Sequence, residues 1–308
     1  KSKKNFFLLK LEILKFHELL TKNNKINFIF VFFIISICFF IYIATVSPDF
    51  AHDSRCCHLA IPFKIKEYGL WKYNIYDYIW AVMPMGAQWI YSLLNMFSGE
   101  PGVRLLNMSF FVLNIFLIFS FVKKQTSFNY GLLASLMFAS LPLSINLLST
   151  TQPETFLCLV LTVVLSKCFD DKINFPVLFI FLGYAVNVKF TSILLVPFFG
   201  LLIIYNYIGK QIKFKTVLLS ALLFLLFSLP PYVTAYMQTG SPTFPLFNEI
   251  FKSDLISKSA FYHPAFADAS ILDLITLSFN TEKYGAIKGA IGIFFIFIIP
   301  ALTFSFFN

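Results

Sequence analysis

The sequence predicts an all-α protein, a polytopic transmembrane bundle of about eight spans, and three observations carry that reading. Hydrophobic residues make up 58% of the chain and charged residues only 13%, with a mean hydropathy of +0.78, whereas soluble domains are about a quarter charged. Uncharged apolar runs recur eight times along the 308 residues, several of them near the ~20 residues needed to cross ~30 Å of hydrocarbon. The basic residues then fall in alternate loops, as expected when cytoplasmic loops collect Lys and Arg.

The eight runs are 26–46, 103–122, 131–148, 155–166, 175–188, 191–207, 216–236 and 290–307. The fourth and fifth are short and need flanking residues or a thinned bilayer to span. No small-residue cleavage site follows the first run and 25 residues precede it, so it reads as an anchor rather than a removable signal. Residues 1–25 form a cytoplasmic lead-in in which 6–20 repeat apolar positions at helical spacing around Lys10, Lys15 and His17. That pattern suits an amphipathic helix on the inner leaflet. The transmembrane domain is then 26–308.

With the N-terminus inside, 14 of the 24 basic residues and 4 of the 15 acids are cytoplasmic. The outer side is left nearly neutral with 10 bases and 11 acids, so the formal net charge of +9 is a topology signal. A dispersed basic excess on an apolar chain does not point to nucleic acid. Cysteine is sparse: Cys38, Cys158 and Cys168 lie in or beside apolar runs, and Cys56 and Cys57 are adjacent in an outer loop without zinc spacing. No internal repeat of the transporter kind is visible.

Two outer loops, 47–102 and 237–288, exceed the length of connectors and are rich in aromatic residues and Pro, so both are expected to be ordered. In the first, Met85, Trp89, Ile90, Leu93, Leu94 and Phe97 recur at helical spacing behind Pro84, which predicts a helix lying at the outer interface. Trp71, Tyr73, Tyr76, Tyr78, Trp80, Trp89 and Tyr91 suit an interfacial belt.

The densest chemistry follows the first span, where Asp49, His52, Asp53, Arg55 and His58 crowd into ten positions. A carboxylate there can serve as a general base on an acceptor hydroxyl, with His and Arg to orient it or hold a phosphate. The alternative is a solvated polar loop that simply terminates the span. His58 is read either as a surface residue or as a titratable participant.

Asp53-x4-His58-Leu59-Ala60-Ile61-Pro62, followed by Gly69, Pro84 and a helix over 88–94, resembles the first large periplasmic loop of bacterial multi-span GT-C glycosyltransferases, related in pattern to the family-39-like membrane enzymes. Three further stretches resemble the same group: Ser149-Thr150-Thr151-Gln152-Pro153-Glu154, Gly183-x5-Lys189-Phe190-Thr191, and Thr239-Gly240-Ser241-Pro242-Thr243-Phe244-Pro245-Leu246-Phe247-Asn248. His52 stands where Trp is common and Ser241 where Asn is common, while Asp53 is retained.

The resemblance implies a GT-C-like arrangement and an inverting transfer of a sugar from a polyprenyl-phosphate donor to a lipid, glycan or protein acceptor at the outer face of a bacterial inner membrane. It makes Asp53 the general base and Asp49 its reserve. Glu154 becomes a site for the acceptor, or together with Asp53 for a divalent Mg or Mn ion, and Lys189 a partner of the donor phosphate, with Arg55 and Arg104 as further anion ligands. Glu154 also reads as a helix-start acid behind Pro153. Other readings are a polymerase or ligase of lipid-linked polysaccharide, and a transporter or flippase, whose charges would lie nearer the midplane. Relatives of this kind commonly carry further spans or a soluble domain, so the chain reads either as part of a longer protein or as a short member of the group.

Overall fold

A computed structural model describes residues 24–49, 51–69, 78–148, 150–255, 270, 273 and 281–284. The amphipathic lead-in, the run at 290–307, most of the loop at 237–288 and the aromatic residues Trp71, Tyr73 and Tyr76 lie outside the described residues. Every regular element among the described residues is helical.

The chain enters through α1 (Asn24–Val46), 23 residues with Phe28, Phe32 and Phe40 turned outward. A π-helical turn, Ser54–Leu59, runs into the short α2 (Ala60–Tyr68), which closes on Gly69 in the left-handed region. A 3-10 turn, Ile79–Val82, precedes α3 (Gly86–Gln125). α4 (Phe128–Ala139) and α5 (Pro142–Leu148) follow, then α6 (Glu154–Cys168) and α7 (Phe175–Val188). A 3-10 stretch, Phe190–Leu195, leads into α8 (Val196–Ile208), and α9 (Phe214–Thr239) ends before the single turn α10 (Asn248–Phe251).

α3 joins what the sequence separates into an interfacial helix and a span. Its 40 residues bend at Gly99, whose φ of 65° and ψ of −165° interrupt the helical ladder just before Pro101. The run at 131–148, read as one continuous span, is instead broken: α4 and α5 meet at 61°. Pro142 explains the break, since it offers no N–H to the preceding turn and disfavours the α region at the residue before it. Four helical segments among the described residues are long and apolar enough to cross a membrane, five if α4 and α5 count as one bent span. α6 and α7, at 15 and 14 residues, rise only about 20 Å each at 1.5 Å per residue.

The core is built where these helices cross. α7 is the most enclosed, burying Leu178, Leu182, Ala185 and Val186, and makes its broadest contact with α9. Gly183 permits that contact: a Cβ there would stand 2.6 Å from the Phe224 carbonyl oxygen. Gly183→Val is therefore expected to force α7 and α9 apart and cost about 1–3 kcal/mol, the range for overpacking. Thermal unfolding in detergent reads this, and an unchanged midpoint would refute it.

Polar clamps complement the apolar contacts. Asn114 Nδ2 donates to the carbonyls of Phe110 at 3.1 Å and Thr155 at 3.2 Å, and its Oδ1 accepts from Thr162 Oγ1 at 3.1 Å, tying α3 to α6. Among apolar helices, where lipid is as hydrophobic as the helices themselves, such bonds help select the partner. The two ends of the bundle differ in chemistry. At one, Lys167 and Lys124 hold Asp170 at 3.0 and 3.3 Å and keep its carboxyl below the ordinary carboxylate range. At the other gather the end of α1, the bend of α3, the turn before α6 and the end of α7.

Candidate active site

Two polar clusters form at that second end. The first is a knot around Asp49, which is 1% exposed. Its Oδ1 accepts the N–H of Ala51 at 2.9 Å and its Oδ2 the N–H of Thr151 at 3.1 Å, while its own N–H donates to Glu100 Oε1 at 3.1 Å. Ser54 Oγ also accepts from Thr151 N–H at 3.1 Å, and Arg55 Nε donates to the Asp49 carbonyl. Arg104, 2% exposed, donates from Nη2 to the Ala44 carbonyl at 2.9 Å and feels the charges of Asp49 and Glu100. The knot thus fastens the start of the loop after α1 to the α3 bend and to the turn before α6.

The second cluster surrounds His58. The π-helical turn brings His58 Nδ1 to 2.6 Å from Gln88 Nε2, two residues into α3. Burial lowers the His58 pKa below its ordinary 6.5. The charges of Glu154 and Asp53 oppose that shift, Lys189 reinforces it, and Asp49 acts more weakly. Four sequence candidates, Asp53, His58, Glu154 and Lys189, therefore share one electrostatic neighbourhood although they come from three separate stretches. Lys189 caps α7 in an extended conformation and its Nζ pairs with Glu154 Oε1. That pair stays 41% and 27% exposed in its side chains, so it is weak and readily re-partnered. Asp53 is exposed at the head of the π-helical turn.

Arg55 and Arg104 belong to the Asp49 knot rather than to this second cluster. Among the described residues no three His, Cys, Asp or Glu side chains gather as a metal centre. Of the two acids expected to hold a divalent ion, Glu154 pairs with Lys189.

Sequence reasoning passes over Gln88 and Glu100 and places Tyr91 in an interfacial belt, whereas Tyr91 faces the protein interior. Tyr91 is fully buried, its hydroxyl lying 3.2 Å from Asn107 Oδ1 and 3.3 Å from the Gln152 carbonyl. The signal was present: Gln88, Tyr91, Ser92 and Asn95 recur at helical spacing and all four are buried, while Trp89, Leu93, Met96 and Phe97 are exposed. The first part of α3, before its bend, is amphipathic with its polar stripe turned toward protein.

The neutral state of His58 has a pH signature. An unfolded chain protonates this histidine near 6.5 while the folded site resists, so its contribution is intact above that pH and stability falls as pH drops through and below about 6.5. His58→Gln is expected to flatten that part of the acid slope in unfolding midpoints recorded in detergent. An identical slope in the variant would remove His58 as its source.

Lipid-exposed apolar helices crowned at one end by acids, a neutral histidine and a lysine define an integral membrane protein with a polar site at the edge of its bundle. Residues 82–233, just under half of the chain, match the family model described as dolichyl-phosphate-mannose-protein mannosyltransferase, a GT-C-type family, and the match supports a membrane glycosyltransferase of that type. The matched segment contains Gln88, Glu154 and Lys189 but not Asp49, Asp53 or His58. No curated protein and no solved structure matches the chain.

Proposed function

We propose that the chain transfers a sugar, with inversion, from a polyprenyl-phosphate donor to an acceptor hydroxyl at the outer face of the membrane, with Asp53 as general base. The observation that carries this reading is the convergence of Asp53, His58, Glu154 and Lys189 at one end of the bundle. The family description adds a lipid-phosphate sugar as the donor class. Asp53 takes the acceptor proton as the acceptor oxygen bonds to the anomeric carbon. The bond from that carbon to phosphate oxygen breaks on the opposite face, and polyprenyl phosphate leaves with the electron pair.

Lys189 suits the leaving phosphate. An ammonium carries three donors, so it can hold Glu154 and a phosphate oxygen together, and its partial exposure leaves room to do so. Glu154 in turn keeps Lys189 at the end of α7. These steps use only the chain's own side chains.

The test is release of polyprenyl phosphate and formation of glycosylated product by the purified protein in liposomes. The donors are a panel of farnesyl-phosphate-linked hexoses and pentoses beginning with mannose, the acceptors a lipid, an oligosaccharide and a peptide. Transfer with inverted anomeric configuration is the expected result. Retention, or no transfer from any donor, would overturn the reading.

A further inference from the structure

Gln88 holds an amide end that nothing among the described residues satisfies. The residue is 4% exposed, and its Nε2 meets His58 Nδ1 at 2.6 Å while its Oε1 is buried without a hydrogen-bond partner. The orphaned end does not depend on which way the amide is drawn, because a flip turns one end toward His58 and leaves the other unmet. Glu154 presents a second such atom: Oε1 takes Lys189, and Oε2 is buried and unmet. Buried polar atoms are almost always paired, and each unmet one costs about 1–3 kcal/mol. Both relate to one histidine: Gln88 touches His58, and among the charges acting on His58 that of Glu154 is the strongest.

The surroundings hold Gln88 firmly in place. Its carbonyl accepts from Ser92 Oγ at 2.7 Å, the adjoining Gly86 carbonyl accepts from Tyr184 Oη at 3.0 Å, and a Cβ on Gly86 would meet Asn187 Oδ1 and Val188 Cγ2 at 3.1 Å. The start of α3 is thus clamped against the end of α7 that carries Lys189. As drawn, both unmet atoms are acceptors, and a ligand that satisfies them must bring donors. Hydroxyl groups of a sugar do so; a phosphate does not, because its oxygens are acceptors and belong with Lys189.

We propose that Gln88 is a specificity-determining residue that binds a hydroxyl of the transferred sugar, with His58 fixing its amide and Glu154 accepting from a second hydroxyl. This inference rests on the reading of the chain as a user of lipid-phosphate sugars. A site built to bond a hydroxyl rejects the analogue lacking it far more strongly than an apolar pocket rejects a change in size.

The experiment measures binding as well as transfer, so the two proposals can fail separately. Binding of farnesyl phosphate, of the tightest-binding farnesyl-phosphate sugar and of its monodeoxy analogues is measured on wild type, Gln88→Met and Gln88→Glu in liposomes. Wild type is expected to bind the sugar-bearing lipid more tightly than farnesyl phosphate and to lose at least tenfold when one hydroxyl is removed. Gln88→Met should bind farnesyl phosphate as wild type does and no longer distinguish the parent sugar from that deoxy analogue. Gln88→Glu, which keeps an acceptor, should retain most of the discrimination. The proposal is overturned if wild type binds sugar-bearing and sugar-free lipid equally, or if Gln88→Met keeps the wild-type ranking of deoxy analogues. Sugar-dependent binding with the predicted loss in Gln88→Met sustains it even where no transfer occurs, an outcome that defeats only the transfer reading.

Discussion

Asp53→Asn is expected to lower sugar transfer by about 10²–10⁴-fold, the usual contribution of a positioned general base, and to leave folding unchanged. The substitution keeps size and removes the negative charge and the ability to take a proton. Asp53 is exposed and supplies no side-chain cap to the π-helical turn it heads, so little of the fold depends on it. The loss should appear in kcat with a small change in KM, because the base acts on the acceptor proton in the transition state rather than in donor binding. Glu154→Gln provides the contrast. It removes the partner that holds Lys189, so donor KM should rise along with any loss in kcat. Full activity of Asp53→Asn in a normally folded protein would eliminate Asp53 as the base.

Much of this arrangement was legible in the sequence. The apolar runs gave α1, α6, α7, α8 and α9 to within a few residues, because burial in lipid demands uninterrupted apolarity and uncharged length. The glycine of the Gly183-x5-Lys189 stretch now has a physical cause, the close approach of α7 to α9. The bend between α4 and α5 was foreshadowed by Pro142, yet composition alone does not say whether a proline kinks a span or ends it. The outer helix was misread in a more instructive way. Of the apolar stripe that suggests an interfacial helix, Trp89, Leu93 and Phe97 are exposed while Met85 is buried. The functional information lay on the opposite stripe, where Gln88 and Tyr91 turn toward His58 and the turn before α6. In a membrane the usual inference reverses: polar positions at helical spacing mark the protein-facing side, and those deserve the search for function.

The contact of His58 with Gln88 was not accessible from sequence, since it joins residues 30 apart through a π-helical turn. The same holds for the difference between the two outer acids, which follows from their contacts alone. Asp49→Ala is expected to destabilise the protein by about 3–5 kcal/mol, the range for removing one partner of a buried charge network. The change strands the N–H of Ala51, 2.9 Å from one lost oxygen, and leaves the N–H of Thr151, 3.1 Å from the other, to Ser54 Oγ alone, and bonds to charged acceptors are worth about 1.5–3 kcal/mol each. It also leaves Arg104, 2% exposed, without the nearby charge of Asp49. Asp49→Asn should fall between the two, because one amide oxygen still accepts while the amide nitrogen opposes a backbone donor. Unfolding midpoints in detergent measure the loss. The two carboxylates are four residues apart, and their substitutions should separate cleanly: at 49 the fold fails and activity falls with it, at 53 the fold stands and chemistry stops. An Asp49→Ala protein that unfolds like wild type yet transfers no sugar would reverse the assignment and make Asp49 the base.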